Sequence, residues 1–475
     1  MPQIIGVWCR EEGHEVNYSI FTGSQKVRDL IPDQTDLVFI SSFTFTAHLA
    51  YALSNYARSR GILTALGGPH ARSYPDDASL YFDYVLGLTD KELLKDLLHN
   101  IEFNKQKGTY LTSLSQPSSL PGVRERWEFI EQVHRLPSLI KVVSMIGSFG
   151  CPYQCDFCID AEIPYQTLDM GMIKEDIRFL IKKMKHPIVG WYDSNFGIRF
   201  NSFMENIESA APPGSISFIA ECSLSILTEP NVKILKKNGF KMIMPGIESW
   251  FGYGKKSKMG LSTGMDKVKV VGEQVNMILR YIPQVHTNFM FGFDSDAGED
   301  PFTLTKRYID IAPAAYPSFQ LLTAFGQSSK GNLRYATENR IIPIPYHMMA
   351  GMNTMNIIPR NYSWEEFYVH YIDLLKYGFS ARAMYRRFRA NPIKAAKWIT
   401  LFLSLSQGGL GKISHVSAML ENYRRKADFR SFMNKETIQV PAFMIEKVKK
   451  ELGPMWYWLP DKSLSLNPGK LPDPE

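Results

Sequence analysis

The sequence predicts an α/β protein in three parts: an N-terminal doubly wound, Rossmann-like sheet, a central partial (β/α)6 TIM-like barrel, and a C-terminal mainly helical region. Three observations carry this. Residues 1–105 alternate short apolar runs with amphipathic stretches across short loops, the pattern of parallel strands joined by helices. Residues 141–330 continue the alternation as six further units, fewer than a closed barrel needs. Residues 331–475 lose the strand-like runs and read as helical, aromatic and basic. A length of 475 residues suits two or three domains rather than one core.

In the first part, buried strands are expected at 15–21 (EVNYSIF), 36–42 (DLVFISS), 63–68 (LTALGG) and 84–88 (YVLGL). A helix is expected over 46–61, ending on Gly61. Such a domain ordinarily opens on a strand, whereas this chain opens on helix-like text, IIGVWCREEGHEV, so the first strand is either missing or supplied otherwise. Residues 106–140, with TSLSQPSSLPG, read as a linker. Barrel strands are expected at 141–147, 188–193, 215–221, 241–247, 285–293 and 318–325, with helices such as 172–184 and 229–239 between them.

Composition removes several classes. Hydrophobic residues at 45% and charged residues at 21% describe a globular chain, and a net charge of +7 without a dense basic stripe gives no nucleic-acid footprint. The N-terminus lacks a signal-peptide pattern, and the longest apolar run, WITLFLSLS at 398–406, falls short of the ~20 residues a bilayer span needs. Five cysteines, an odd number with three clustered, argue against a disulfide framework. The expectation is a soluble cytoplasmic protein.

Cys151, Cys155 and Cys158 form C-x3-C-x2-C directly after the first barrel strand, on the face where barrels carry chemistry. Three thiolates on one loop suit a cubane [4Fe-4S] cluster, each binding one iron and leaving the fourth open to a small molecule. A structural zinc site needs a fourth ligand, for which Cys222 is the candidate sulfur.

This loop, SFGCPYQCDFC, resembles the signature of the radical S-adenosylmethionine (SAM) superfamily, although Phe149 stands where Arg is common. WYDSNFGIR (191–199), with Asp193 and Asn195, is similar to the acidic turn of the cobalamin-associated branch, and Asp193 is equally readable as a turn-former. IMPGIESW (243–250) resembles the turn that lies along the SAM ribose and methionine carboxylate, which nominates Gly246, Glu248 and Ser249; a solvated strand-end carboxylate is the alternative for Glu248. FMFGFDSD (289–296) looks like the strand that backs the adenine. Tyr153 and Phe157 could pack the adenine or shield the cluster. The resemblance implies that SAM chelates the open iron and that one electron from the cluster splits it into methionine and a 5′-deoxyadenosyl radical, which takes hydrogen from an inert carbon. No protein side chain is assigned as a catalytic acid or base.

DLVFISSFTFTAHLAYALSNYARSRGILTALGGPHA resembles the cobalamin (B12)-binding domain attached to one branch of these enzymes. Ser42 and Thr44 fit its small hydroxyl positions and Gly67 and Gly68 its paired glycines, although a strand end and a turn would use the same residues. No Asp-x-His-x-x-Gly occurs, so no lower histidine ligand for cobalt is nominated, and His14 and His70 read as structural. The expected chemistry is cobalamin-dependent methyl transfer; the rivals are radical rearrangement, cyclisation or oxidation without methyl transfer, and a non-enzymatic iron–sulfur carrier or sensor. A methylthiotransferase is disfavoured, since no second cysteine triad precedes Cys151. Expected partners are a small-molecule or lipid-like substrate and a reductant such as flavodoxin or ferredoxin. The basic, aromatic stretch 380–402 reads as a capping helix with a solvated face, with peripheral membrane contact as its alternative.

Overall fold

The computed structural model describes residues 2–21, 26–101, 108–138, 140–253, 262–328 and 330–464. Strands β1 (Leu37–Ser41), β2 (Leu63–Gly67), β3 (Tyr84–Leu86) and β4 (Thr109–Leu111) form a parallel sheet in that spatial order. Alternate residues point to opposite faces. Leu66 and Val85 share a core with Ala50 and Tyr51 of the helix Ala47–Ser59. Ala65, Tyr84 and Leu86 share another with Leu97 of the helix Lys91–His99, which packs beside the opening helix Pro2–Glu11. Helices therefore cover both faces.

Residues 15–21 are not a strand. The alternation read from the sequence is present, with Val16, Tyr18 and Ile20 half-buried and Glu15, Asn17 and Ser19 exposed. No strand pairs with this segment among the described residues, and alternation alone does not make a strand without a neighbour to bond. The segment expected to be a linker carries β4 and the helix Trp127–Arg135, while residues 106–107 and 139 lie outside the described residues.

The second sheet contains β5 (Val142–Met145), β8 (Ile188–Trp191), β9 (Ser217–Ser223), β10 (Phe240–Glu248), β11 (Gln284–Phe291) and β12 (Tyr316–Leu321), all parallel and ordered as in the sequence. Between β5 and β8, a short antiparallel ribbon pairs β6 (Ser148–Phe149) with β7 (Gln166–Thr167). All six expected barrel strands are found, and no pairing joins β5 to β12 among the described residues, so the barrel is open. Helices Met170–Lys183 and Glu229–Lys237 fill two expected crossovers; Asp169 caps the first by accepting from Gly171 N at 2.8 Å. Trp191, Phe196, Phe203, Phe218 and Phe240 pack as one aromatic cluster behind the sheet.

Beyond β12 the chain is helical, as expected. The helix Trp364–Gly378 lies against Asp300–Ile311 and Leu410–Arg425. The short helical turns of 453–464 return to the first domain: Asn55 Nδ2 donates to Trp458 O at 2.8 Å, and His48 Nε2 to Ser463 O at 3.1 Å. The Pro-rich tail from 465 onward lies outside the described residues. Among the described residues no helix is long and apolar enough to cross a membrane.

Candidate iron–sulfur and S-adenosylmethionine site

The cysteine loop, 150–165, leaves the C-terminal end of β5 and is pinched at its base by the β6–β7 ribbon. Gly150 sits at φ +63°, and a Cβ there would stand 2.2 Å from Ile163 O and 2.5 Å from Pro164 O. Only glycine lets the two sides of the loop approach so closely. Cys158 N donates to Cys155 O at 3.0 Å, and Ala161 N to Cys158 O at 3.2 Å, so successive turns present the thiols. Cys155 is buried, Cys151 and Cys158 half-buried, and none is in a disulfide.

Donors point at sulfur, Asp160 N at 3.5 Å from Cys158 Sγ and Asn195 Nδ2 at 3.8 Å from Cys151 Sγ among them. Donors to sulfur stabilise thiolates and tune a bound cluster. Among the described residues, no three His, Cys, Asp or Glu side chains converge on a single ion. A cubane needs no such convergence, since each thiolate takes its own iron. The donor set, with glycine-permitted closure and hydrogen-bonded sulfurs, fits a three-cysteine cluster.

Asp193, after β8, is buried and accepts from Gly147 N at 3.0 Å and from Ser148 Oγ at 2.5 Å. It thereby fixes the chain entering the cysteine loop. Burial pushes its carboxyl up to about 6. Asn195 joins β8 to β9, accepting from Ser223 N at 2.8 Å, and Tyr153 OH meets Ser225 Oγ at 2.9 Å.

Gly246, Glu248 and Ser249 occupy the C-terminal end of β10 and its exit, where the register with β11 shifts between Gly246 and Glu248. Glu248 is buried and holds φ +63°. Non-glycine residues in that region are strained, and bulges of this kind re-aim a side chain. Lys267, from the helix Gly264–Leu279, donates to Gly252 O at 2.7 Å and to Ser249 O at 2.5 Å, clamping the turn. Burial depresses its ammonium to about 8, with the nearby Glu248 carboxylate acting in the opposite direction.

Phe157 of the cysteine loop meets Tyr253 at 5.1 Å and Phe293 at 5.7 Å between ring centroids, and Tyr253 OH donates to Asp156 Oδ1 at 2.6 Å. The motif at 289–296 thus supplies an apolar wall at the end of β11. Asp296 closes that turn by accepting from Gly292 N and Phe293 N at 2.9 and 3.1 Å.

Ser42, Thr44, Gly67 and Gly68 gather at the C-terminal edge of the first sheet. Ser42 N donates to Gly67 O at 3.1 Å, and Ser42 Oγ is engaged with Phe43 O at 2.8 Å and Thr46 Oγ1 at 2.9 Å. Thr44 is buried at the start of a helical turn. Gly68 has φ +90° and no room for a Cβ beside Ser42 O, whereas Gly67 faces open space. An accessible backbone edge fits close approach by a large ligand, and the glycine requirement is met at Gly68. Arg72 ties this edge to the cysteine loop by donating to Asp160 Oδ1 at 3.0 Å, while Ser194 Oγ, just beyond β8, donates to Asp160 Oδ2 at 2.8 Å. His70 is buried with Nε2 2.7 Å from Tyr51 OH, well inside the domain.

Solved structures share this architecture. The radical SAM methyltransferase TsrM of Kitasatospora setae, determined with cobalamin and a [4Fe-4S] cluster, superimposes with a TM-score of 0.54 at 13% identity, covering 71% of each chain. OxsB, a cobalamin-dependent SAM radical enzyme, gives 0.57 at 11% identity over 96% of this chain and 81% of its own. The chain has the fold of the cobalamin-dependent radical SAM enzymes. By sequence it is similar to bacteriochlorophyllide d C-12(1)-methyltransferase of Chlorobaculum tepidum, 23% identical over 80% of this chain and 83% of that protein. A C-8(2)-methyltransferase from the same organism is 25% identical over 45% of this chain and 50% of its own length. No family model matches the chain.

Sequence reasoning missed Arg72, Asp160, Tyr253 and Lys267. Arg72 lay close to the glycine pair, which was a signal. The others meet partners supplied only by folding.

Proposed function

We propose that the protein is a radical SAM enzyme that functionalises an unactivated carbon of a small or lipid-like molecule, with cobalamin-dependent methyl transfer as its reaction. The observation that carries this is the C-x3-C-x2-C loop at the C-terminal end of the open barrel, joined to the glycine edge of the first sheet through Arg72 and Asp160. When bound, the cluster supplies the electron that cleaves SAM, and cobalamin carries the methyl group.

The chain's own residues hold and shelter these groups. Cys151, Cys155 and Cys158 would each hold one iron of the cluster. Gly246, Glu248 and Ser249 contact SAM, held in place by Lys267. Asp193 fixes the base of the loop, and Phe157, Tyr253 and Phe293 exclude water. Ser42, Thr44, Gly67 and Gly68 border the cobalamin tail. Residues 1–105 form the cobalamin domain, 106–140 the connection, 141–330 the radical barrel, and 331–475 the substrate and accessory region. Because its sequence relatives are named for methylating bacteriochlorophyllide, a bulky apolar ring is the substrate class to try first. A flavodoxin or ferredoxin supplies electrons in the cytoplasm, nucleic acid is not a partner, and membrane contact is peripheral.

A second reading, radical rearrangement, cyclisation or oxidation without methyl transfer, is favoured by the lack of a cobalt-ligating histidine motif. The test is anaerobic purification with cobalamin supplied, cluster reconstitution, and incubation of the reduced protein with SAM. Methyl transfer requires bound cobalt and 5′-deoxyadenosine formation that Cys155→Ala abolishes. Deoxyadenosine without cobalt selects the second reading, and neither product nor cobalt leaves an iron–sulfur carrier.

A further inference from the structure

The helix Lys394–Leu405 is amphipathic in the reverse sense. Its protein-facing side carries the small residues Ala396, Thr400 and Ser404, all buried, with Thr400 Oγ1 donating to Ala396 O and Ser404 Oγ to Thr400 O. Its outward side carries Trp398, Phe402 and Leu405, which are 57%, 61% and 54% exposed. Their i, i+4, i+7 spacing puts them on one stripe. The preceding helix Ala381–Ala390 packs against it and adds Tyr385, 62% exposed, and Ile393 lies in the connection, 41% exposed. Scattered exposed apolar residues mean little, but an exposed apolar stripe on one helix, with further exposed apolar side chains on its hairpin partner, marks an interaction surface.

Charge indicates what covers it. From Leu374 to Leu420 the sequence contains eight Lys or Arg and no Asp or Glu. Arg386 is paired with Asp310, while Arg387 and Lys412 are buried on backbone carbonyls. Arg382, Arg389 and Lys394 are exposed, and half-buried Lys397 lies over the Phe388 ring. Arg382, Tyr385 and Arg389 share a helix face, as do Lys394 and Trp398. A second copy on this ridge would set cations against cations. An anionic lipid surface complements both features, taking the apolar ridge into the headgroup boundary and the cations against its phosphates. We propose that the hairpin 381–405 docks the protein onto anionic membrane.

The hairpin is anchored at the N-terminal ends of the last two barrel strands. Arg387 Nε donates to Ala315 O at 3.2 Å, and Asn391 Nδ2 to Pro283 O at 3.2 Å. It therefore lies at the opposite end of the barrel from the cysteine loop, and the proposal is independent of the chemistry assigned there.

The test is co-sedimentation of the full-length, cluster-reconstituted protein with phosphatidylcholine vesicles, with and without phosphatidylglycerol, at low and high salt. The expected result is binding that requires phosphatidylglycerol and weakens at high salt. Lys394→Glu/Lys397→Glu is expected to lower affinity on the order of 10-fold or more, and Phe402→Ser/Leu405→Ser to abolish binding, with iron content unchanged in both. Absence of binding at low salt, binding that ignores phosphatidylglycerol, or a dimer in sedimentation velocity that Phe402→Ser/Leu405→Ser dissociates would each overturn it.

Discussion

Gly150→Ala tests whether the pinched loop holds the cluster. The new methyl would stand 2.2 Å from Ile163 O and 2.5 Å from Pro164 O, both backbone atoms that cannot rotate away. A φ of +63° costs a non-glycine residue about 1–2 kcal/mol, and overpacking of this kind adds about 1–3 kcal/mol. A local penalty of about 2–5 kcal/mol corresponds to ~30-fold to several-thousand-fold weaker retention of whatever the loop binds. The assay is loss of the cluster's visible absorbance to an iron chelator under anaerobic conditions, with far-UV circular dichroism followed in parallel. The expected variant loses iron far faster than wild type while keeping its secondary structure, because the loop lies outside the main cores. Wild-type iron retention, or iron loss accompanied by global unfolding, would refute the argument.

Other perturbations follow from the same geometry. Lys267→Met leaves Ser249 O and Gly252 O without their buried donor, at about 1–3 kcal/mol per carbonyl; calorimetry with S-adenosylhomocysteine is expected to show ~10-fold or more weaker binding, with iron content unchanged. Asp176, buried and accepting from Val123 N at 2.6 Å, has its carboxyl raised by burial to about 6. A carboxyl raised on folding binds protons more tightly in the native state, so its contribution favours folding at low pH and is lost as pH rises from about 4 to about 6. Asp176→Asn is expected to flatten that slope and to be on the order of 1–3 kcal/mol more stable at pH 7 in urea melts. A double-mutant cycle on Arg72→Ala and Asp160→Ala is expected to give a coupling of about 1 kcal/mol, and zero coupling would remove the bridge between the first sheet and the cysteine loop.

The barrel was legible because its strands are continuous apolar runs separated by well-formed helices, the text of a sheet buried on both faces. Segment 15–21 misled for a physical reason: its alternation is real, but a strand also needs a neighbour, and pairing is not a local property. The stretch 106–140 hid β4, whose three residues are too few to rise above a Ser- and Pro-rich background. At the site, the cysteines announced themselves by spacing. Arg72 and Asp160 are 88 residues apart, and Tyr253 and Asp156 are 97 apart, so only the fold brings them together. The aromatic, basic text at 380–402 left a solvated cap and a membrane contact both open; only the fold shows that Trp398, Phe402 and Leu405 face outward while Ala396, Thr400 and Ser404 face inward. Periodicity reveals a stripe but not which way it points.

The clasp between the first domain and residues 453–464 has a consequence for biosynthesis. Helix Ala47–Ser59 leaves the ribosome long before its partners, since the carbonyls that receive His48 and Asn55 lie 415 and 403 residues downstream. During translation its outer face must wait about 400 residues for its cover, leaving a sticky surface for chaperones to guard. A nonsense mutation before Gly453 would strand that nascent domain without its clasp, so loss of residues 453–464 is expected to show itself about 400 residues away, at the helix Ala47–Ser59.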